Sequence, residues 1–143
     1  GFGSGNTPPV SPPQGNPGGF NPSAIGGGGG GAGGTSAADC NANGGIGSFM
    51  MQAGFAGCNG TTGPVGAVRY FAGGGVGGHN PSAVPCATQT GGAGGGGAQN
   101  PSGGIAGGTN TGGGGGAGDA SGPVPQAAGG GGSGIVIIRY KFQ

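Results

Sequence analysis

The chain has no tryptophan, and only five of its 143 residues carry a formal charge: Asp39, Arg69, Asp119, Arg139 and Lys141. So few charges offer no basic stripe for a phosphate backbone, and nucleic acid is not an expected partner. Long apolar runs are missing as well. The longest, Ile135-Val136-Ile137-Ile138, falls far short of the roughly 20 residues that cross a bilayer, so no membrane span is expected. Acid-base chemistry has little to draw on: there is one histidine, His79, and the two acids stand 80 positions apart. A triad of His79 with Asp39 or Asp119 and a serine would lack the packed shell that holds such groups in place. We therefore expect no enzyme, no catalytic residue and no cofactor. Cys40, Cys58 and Cys86 lack the spacing of metal ligands, which leaves no expected metal site. Gly73, Gly75 and Gly78 formally fit G-x-G-x-x-G, but His79-Asn80-Pro81 breaks the helix that dinucleotide binding would need.

Glycine is what the chain has in quantity. It fills 49 positions, many of them in runs at 26–31, 73–75, 94–97, 112–116 and 129–132. The runs keep no G-X-Y period, which excludes a collagen triple helix. A solvated linker would suit the composition, yet it would not end in the β-branched and aromatic string Ile135-Val136-Ile137-Ile138-Arg139-Tyr140-Lys141-Phe142. Six Phe, two Tyr and two Met cannot supply a conventional core for a chain of this length. Each glycine also costs about 0.5 to 1 kcal/mol more than alanine to order. What glycine brings instead is a backbone N–H and C=O with no side chain to keep neighbouring chains apart. In polyproline II geometry those groups point outward in three directions at three residues per turn, so bare glycine rods can hydrogen-bond side by side as polyglycine II.

Between the runs lie turn signals: Asn80-Pro81-Ser82, Asn100-Pro101-Ser102 and Ser121-Gly122-Pro123-Val124-Pro125, where Pro fixes φ and Asn or Ser satisfies local backbone groups. A three-residue step appears in Val76 and His79 and again in Thr111, Gly114, Ala117 and Ala120. This predicts that those rods lie at the periphery with small side chains outward, and that the uninterrupted run 26–31 lies inside. Val68-Arg69-Tyr70-Phe71 and the string from Ile135 to Phe142 read as strands, the latter as a docking strand. The bulky patch from Ser48 to Phe55 reads equally as helix or loop. The expected fold is thus irregular and glycine-rich: packed polyglycine II helices joined by polar turns, a few short β-strands including a C-terminal strand, and essentially no α-helix. Cys40 with Cys58 is the most economical disulfide, closing the Phe49 to Phe55 patch, but three pairings are possible and all thiols could be free in a reducing compartment.

Several strings carry a family resemblance in order: Asn6-Thr7-Pro8-Pro9-Val10-Ser11-Pro12-Pro13, the run 26–31 followed by Ala32, Arg69-Tyr70-Phe71-Ala72-Gly73-Gly74-Gly75, and Gly132-Ser133-Gly134-Ile135-Val136-Ile137-Ile138-Arg139-Tyr140. Together they resemble the glycine-rich domain of tailed-bacteriophage virion proteins. The segment 40–62 departs from that pattern and is expected to be a local insertion in a single domain, 1–143. Because the chain opens on Gly-Phe-Gly-Ser without Met, we expect it to be the C-terminal part of a longer polypeptide. The resemblance implies a structural or adhesive virion component, the tip or surface domain of a tail fibre, extracellular when it functions. It implies partners among other virion proteins and at a host surface receptor, while the thin core leads us to expect self-association as a homo-oligomer such as a trimer. Candidate receptor-contact positions are then Phe49, Met50, Met51, Phe55, Thr61, Thr62, His79, Asn80, Gln99 and Asn100. The alternative is a non-adhesive extracellular or virion structural protein: a filament, matrix or decoration subunit.

Overall fold

A computed structural model describes residues 3–11, 15–20, 26–36, 42–50, 53–78, 89–119 and 124–141. Segment 72–78 lies at the centre of these. Its hydrogen bonds fall into sets three residues apart. Gly73 and Val76 donate to Gly94 O and Gly97 O, at 3.0 Å each, while Gly74 and Gly77 donate to Gly45 O at 2.8 Å and Ala42 O at 2.9 Å. On a third side, Ala72 O and Gly75 O accept from Ala32 and Gly29, at 2.9 Å each, and Gly114 and Ala117 donate to Gly73 O and Val76 O at 2.9 and 3.1 Å. One residue in three therefore faces each neighbour, which is the geometry of packed polyglycine II helices. Partner numbers that rise together mark parallel neighbours, 94–97 and 114–117; numbers that run in opposite senses mark antiparallel ones, 29–32 and 42–45.

The same three-step pairing repeats outward. Ile105 and Gly108 donate to Ala98 O and Gly95 O, Gly104 and Gly107 donate to Ala127 O and Gly130 O, and Gly129 and Gly132 donate to Gly116 O and Gly113 O. Close approach explains why glycine is needed at the centre. A Cβ on Gly74 would fall on Gly29 O, and one on Gly75 would fall on Gly115 O; backbone facing backbone has no flexible end that could yield.

Regular elements are few, and the fold class expected from composition stands. Strand β1 (Ser48–Met50) pairs antiparallel with β2 (Arg69–Phe71), with Phe49 opposite Tyr70. Between them is one helical turn, α1 (Ala53–Ala56), which stops at Gly57 with φ 58°, the left-handed C-terminal residue that glycine adopts without strain. Asn59 closes the turn by donating its backbone and side-chain N–H groups to Ala56 O at 3.0 and 3.1 Å. Strands β3 (Gln99–Asn100) and β4 (Gly103–Gly104) form a second antiparallel pair across Pro101-Ser102. There Asn100 Oδ1 accepts from Ser102 N–H at 2.8 Å, as the Asn-Pro-Ser signal predicts.

Two expectations are corrected. Val76 and Thr111 are buried rather than turned outward, and the interior rod is 72–78, with residues 73–77 all buried, whereas the run 26–31 is exposed at Gly26 and Gly29. A rod is central because four segments distant in sequence surround it, and no local pattern records that. The C-terminal string is the other correction: its described part, 135–141, pairs with no strand, and Val136, Ile138 and Tyr140 stand exposed. His79, Ala120 and the turn 80–85 lie outside the described residues.

Candidate functional site

The rods separate two loop-bearing ends. Residue 71 ends β2 just before the central rod, and the antiparallel segment 42–47 brings β1 to the same place. Gln99 and Asn100 follow a segment parallel to the central rod, so they lie beyond its other end. Seven residues at about 3.1 Å place the two ends roughly 20 Å apart. The sequence-predicted contact positions are therefore divided. Phe49, Met50, Thr61 and Thr62 sit at the β1–β2 end, as does Phe55 within α1, whereas Gln99 and Asn100 sit at the β3–β4 end. Met51, His79, Asn80 and Cys40 lie outside the described residues. Cys58 is exposed with a free thiol, so the Cys40–Cys58 pairing is not seen.

The β1–β2 end is built around Tyr70. Its backbone exchanges hydrogen bonds with Thr61, at 3.0 and 2.9 Å, its hydroxyl accepts from Val65 N–H at 3.3 Å, and its ring meets that of Phe49 with centroids 5.5 Å apart and planes tilted by 49°. Gly63 lies against the Tyr70 ring face, where a Cβ would clash. Thr61 Oγ1 accepts from Gly94 N–H at 2.7 Å and ties the segment to the array. A polar chain adds a second tie: Asn110 Nδ2 donates to Asn59 Oδ1 at 3.3 Å, Asn110 N–H donates to Ser133 Oγ at 2.9 Å, and Ser133 Oγ–H donates to Asn110 Oδ1 at 3.3 Å. The sequence departure that spans 40–62 is thus fastened onto the rod ends.

Beside this tyrosine runs an open groove of about 480 Å³, lined by Phe49, Met50, Phe71 and Ala72 on one side and by Ile135 and Ile137 on the other. Among the described lining residues only Ser48 and Thr111 bear a hydroxyl, and none is titratable. Thr111 is committed already: its Oγ1 donates to Gly108 O at 2.6 Å and accepts from Gly113 N–H at 3.0 Å. The described lining can hold an apolar side chain and offers no group placed to move a proton.

The β3–β4 end is polar. Gln89 is buried with neither side-chain amide atom partnered, and Gln99 Nε2 is likewise buried and unpartnered. Among the described residues no group of acids, histidines and cysteines could hold a metal ion, and no helix is long and apolar enough to cross a membrane. Sequence reasoning missed Tyr70, Asn110 and Ser133 as organisers of the first end. Only Tyr70 carried a signal, the alternation in Arg69-Tyr70-Phe71.

The backbone-bonded array agrees with the comparison of the chain with protein families, where the model of the glycine-rich domain matches residues 1–141. The chain belongs to the glycine-rich domain family. Neither a curated protein nor a solved structure matches it. The match covers nearly the whole chain of this glycine-rich domain.

Proposed function

We propose that this glycine-rich domain is a non-enzymatic structural and adhesive component of a virion, the tip or surface domain of a phage tail fibre that presents loops to a host receptor outside the cell. The observation that carries this reading is the fastening of an irregular aromatic loop segment, through Tyr70, Thr61 and Asn59, onto the end of a rigid hydrogen-bonded array. Rods held by backbone bonds keep their shape whatever the loops contain, so loop sequence can change without loss of the scaffold. Exposed Phe49, which lines an apolar groove, and exposed Thr62 at the same end are the kind of surface a protein receptor engages.

The test is binding of the labelled domain to a panel of bacterial strains, alone and with Phe49→Ser and Thr62→Lys together. Binding to some strains that the double variant loses is the expected result. Unchanged binding, or none on any strain, overturns the adhesive reading. The non-adhesive alternative, a filament, matrix or decoration protein, draws support from the exposed apolar C-terminal arm, a feature better suited to holding another protein chain than to touching solvent.

A further inference from the structure

The central rod 72–78 aims its backbone groups in six directions, three of donors and three of acceptors, because every third residue repeats one orientation. Five of these meet a neighbour. Ala72 O and Gly75 O face 29–32, the Gly74 and Gly77 N–H groups face 42–45, and Gly74 O faces 90–92 by accepting from Gly92 N–H at 2.9 Å. The Gly73 and Val76 N–H groups face 94–97, and Gly73 O and Val76 O face 114–117. These neighbours also bond to one another in turn around the rod: Gly45 N–H to Gly29 O, Gly44 N–H to Thr90 O, Gly96 N–H to Gly92 O and Gly97 N–H to Gly114 O. The circle does not close, for no hydrogen bond joins 29–32 to 112–117.

Between those two walls lies an open groove of about 450 Å³ whose floor is 72–76. Donors and acceptors alternate around the rod, so the direction facing this groove is a donor direction, that of the Ala72 and Gly75 N–H groups. Thr111 O takes the first at 2.8 Å. Gly75 is buried, and its N–H has no acceptor among the described residues. A Cβ on Gly29 or on Gly114 would meet Gly75 N, at 3.7 and 3.0 Å, which sets that nitrogen at the floor between the walls. The same three-residue step turns Gly30 O from one wall, and Gly112 O and Gly115 O from the other, to the groove. None of the three accepts a hydrogen bond from a described residue, and all three residues line it. A buried N–H without a partner is rare in folded chains.

We propose that this groove is a docking slot for a glycine-rich segment of another protein chain, held in polyproline II conformation as the sixth neighbour of the central rod. Hydrogen-bond complementarity chooses the occupant. It must accept from Gly75 N–H and donate to Gly30 O and Gly115 O, so a proline-rich segment, which has the conformation without the donors, does not fit. It must also be bare, because a Cβ aimed at a wall or the floor would strike backbone as one on Gly74 or Gly75 does. A floor of five residues at about 3.1 Å each calls for about five consecutive glycines. The chain's own runs at 26–31, 73–75, 94–97, 112–116 and 129–132 are already bonded into the array. A second copy has the same runs engaged, which leaves a different glycine-rich chain. Nothing in this inference depends on whether the β1–β2 end binds a host.

Amide-resolved hydrogen exchange on the intact chain tests the slot, with two peptides as probes: a run of six glycines between lysines, and the same peptide with every glycine N-methylated, which keeps length and charge and loses the donors. In the free chain the Gly75 amide should exchange about 100-fold faster than those of Gly74 and Val76, which are bonded. The glycine peptide at millimolar concentration should slow Gly75 by about 10-fold, and the N-methylated one should not. Gly29→Ala gives a second check, since Gly29 is exposed and the new methyl makes an ordinary contact with Gly75 N at 3.7 Å while narrowing the slot. That variant should bind the glycine peptide about 10-fold more weakly, with exchange at Gly74 still slow. Gly75 as slow as its neighbours in the free chain, no slowing by the glycine peptide, equal slowing by its N-methylated form, or wild-type affinity in Gly29→Ala overturns the proposal.

Discussion

Segments 72–78 and 126–134 are both glycine-rich rods, yet they place opposite demands on the same residue. In the central rod, 73–77 is buried throughout, and a Cβ at Gly73, Gly74, Gly75 or Gly77 would strike the backbone of a neighbouring rod. In the outer rod only Gly129 and Gly132 meet backbone that closely, against Ile105 O and Gly108 O, whereas Gly130 and Gly134 have nothing within 4 Å. The difference is one of neighbours, not of sequence. A rod bonded on every side must be bare at nearly every position, and a rod at the margin need be bare only every third residue, where the polyglycine II period turns it inward.

The largest effect follows at the centre. Gly74→Ala puts a methyl group onto Gly29 O, and relief requires moving a rod that is itself bonded to 45 and 75. Overpacking of this kind costs at least the usual 1 to 3 kcal/mol, and with backbone rather than a side chain in the way we expect about 3 kcal/mol or more, read as a fall in melting temperature on the order of 10 °C. Gly130→Ala serves as the control in the same melt. Equal losses from both substitutions would break the distinction between centre and margin.

Hydrogen exchange sharpens the same comparison without mutation. The amides of Gly73, Gly74, Val76 and Gly77 are bonded and buried, so they should exchange only through large openings, while those of Gly130, Gly131 and 134–138 have no backbone acceptor among the described residues and should exchange fast. Uniform exchange over both rods would argue against an ordered array.

How far could the sequence tell these rods apart? It marked the rods themselves, because glycine runs cut by Asn-Pro-Ser turns leave the backbone as the sole source of cohesion, and the Asn100 turn formed as its residue types required. It marked β2 through Arg69-Tyr70-Phe71. It did not mark the centre, since Val76 interrupts the run there and suggested an outward-facing edge. Burial of Val76 is decided by segments around 29–32, 42–45, 94–97 and 114–117, contacts that leave no trace in local composition. The C-terminal string failed as a strand for a related reason: propensity is a local property, but a ladder needs a partner strand in register. At the loop end, the Asn110–Ser133 and Asn59–Asn110 contacts join residues 23 and 51 positions apart, and single polar residues at such separations carry no pattern.

An intermediate effect is expected where a side chain does the work of a rod. Thr111 is buried beside the groove and bridges Gly108 O to Gly113 N–H through its hydroxyl. Thr111→Val keeps the shape and leaves both backbone groups without that partner, a loss of about 1 to 3 kcal/mol. Chemical denaturation with an unchanged slope and a lower midpoint is the expected reading. A midpoint equal to wild type would mean that water replaces the hydroxyl and that the turn at 108–113 is held by rod contacts alone.

The smallest effect, that of Gly130→Ala, is the most discriminating when set beside Gly129→Ala, because the pair separates two adjacent glycines in one run. Neither Gly129 nor Gly130 has a left-handed φ, so alanine is permitted at both by backbone conformation. At Gly129 the new methyl falls on the carbonyl of Ile105; at Gly130 it enters open space. Gly129→Ala should therefore destabilise by about 1 to 3 kcal/mol. Gly130→Ala should stabilise by about 0.4 to 1 kcal/mol, because it removes conformational freedom from the unfolded chain and costs nothing in the folded one. Opposite signs at neighbouring positions, measured in the same denaturation series, are what a three-fold rod bonded on two sides requires. A strand in that place would also alternate, but with a period of two, and Gly131→Ala decides between them: its nearest neighbour is Gly113 O at 3.8 Å, an ordinary contact, so the rod tolerates it, whereas a strand that rejects Gly129→Ala would reject it too.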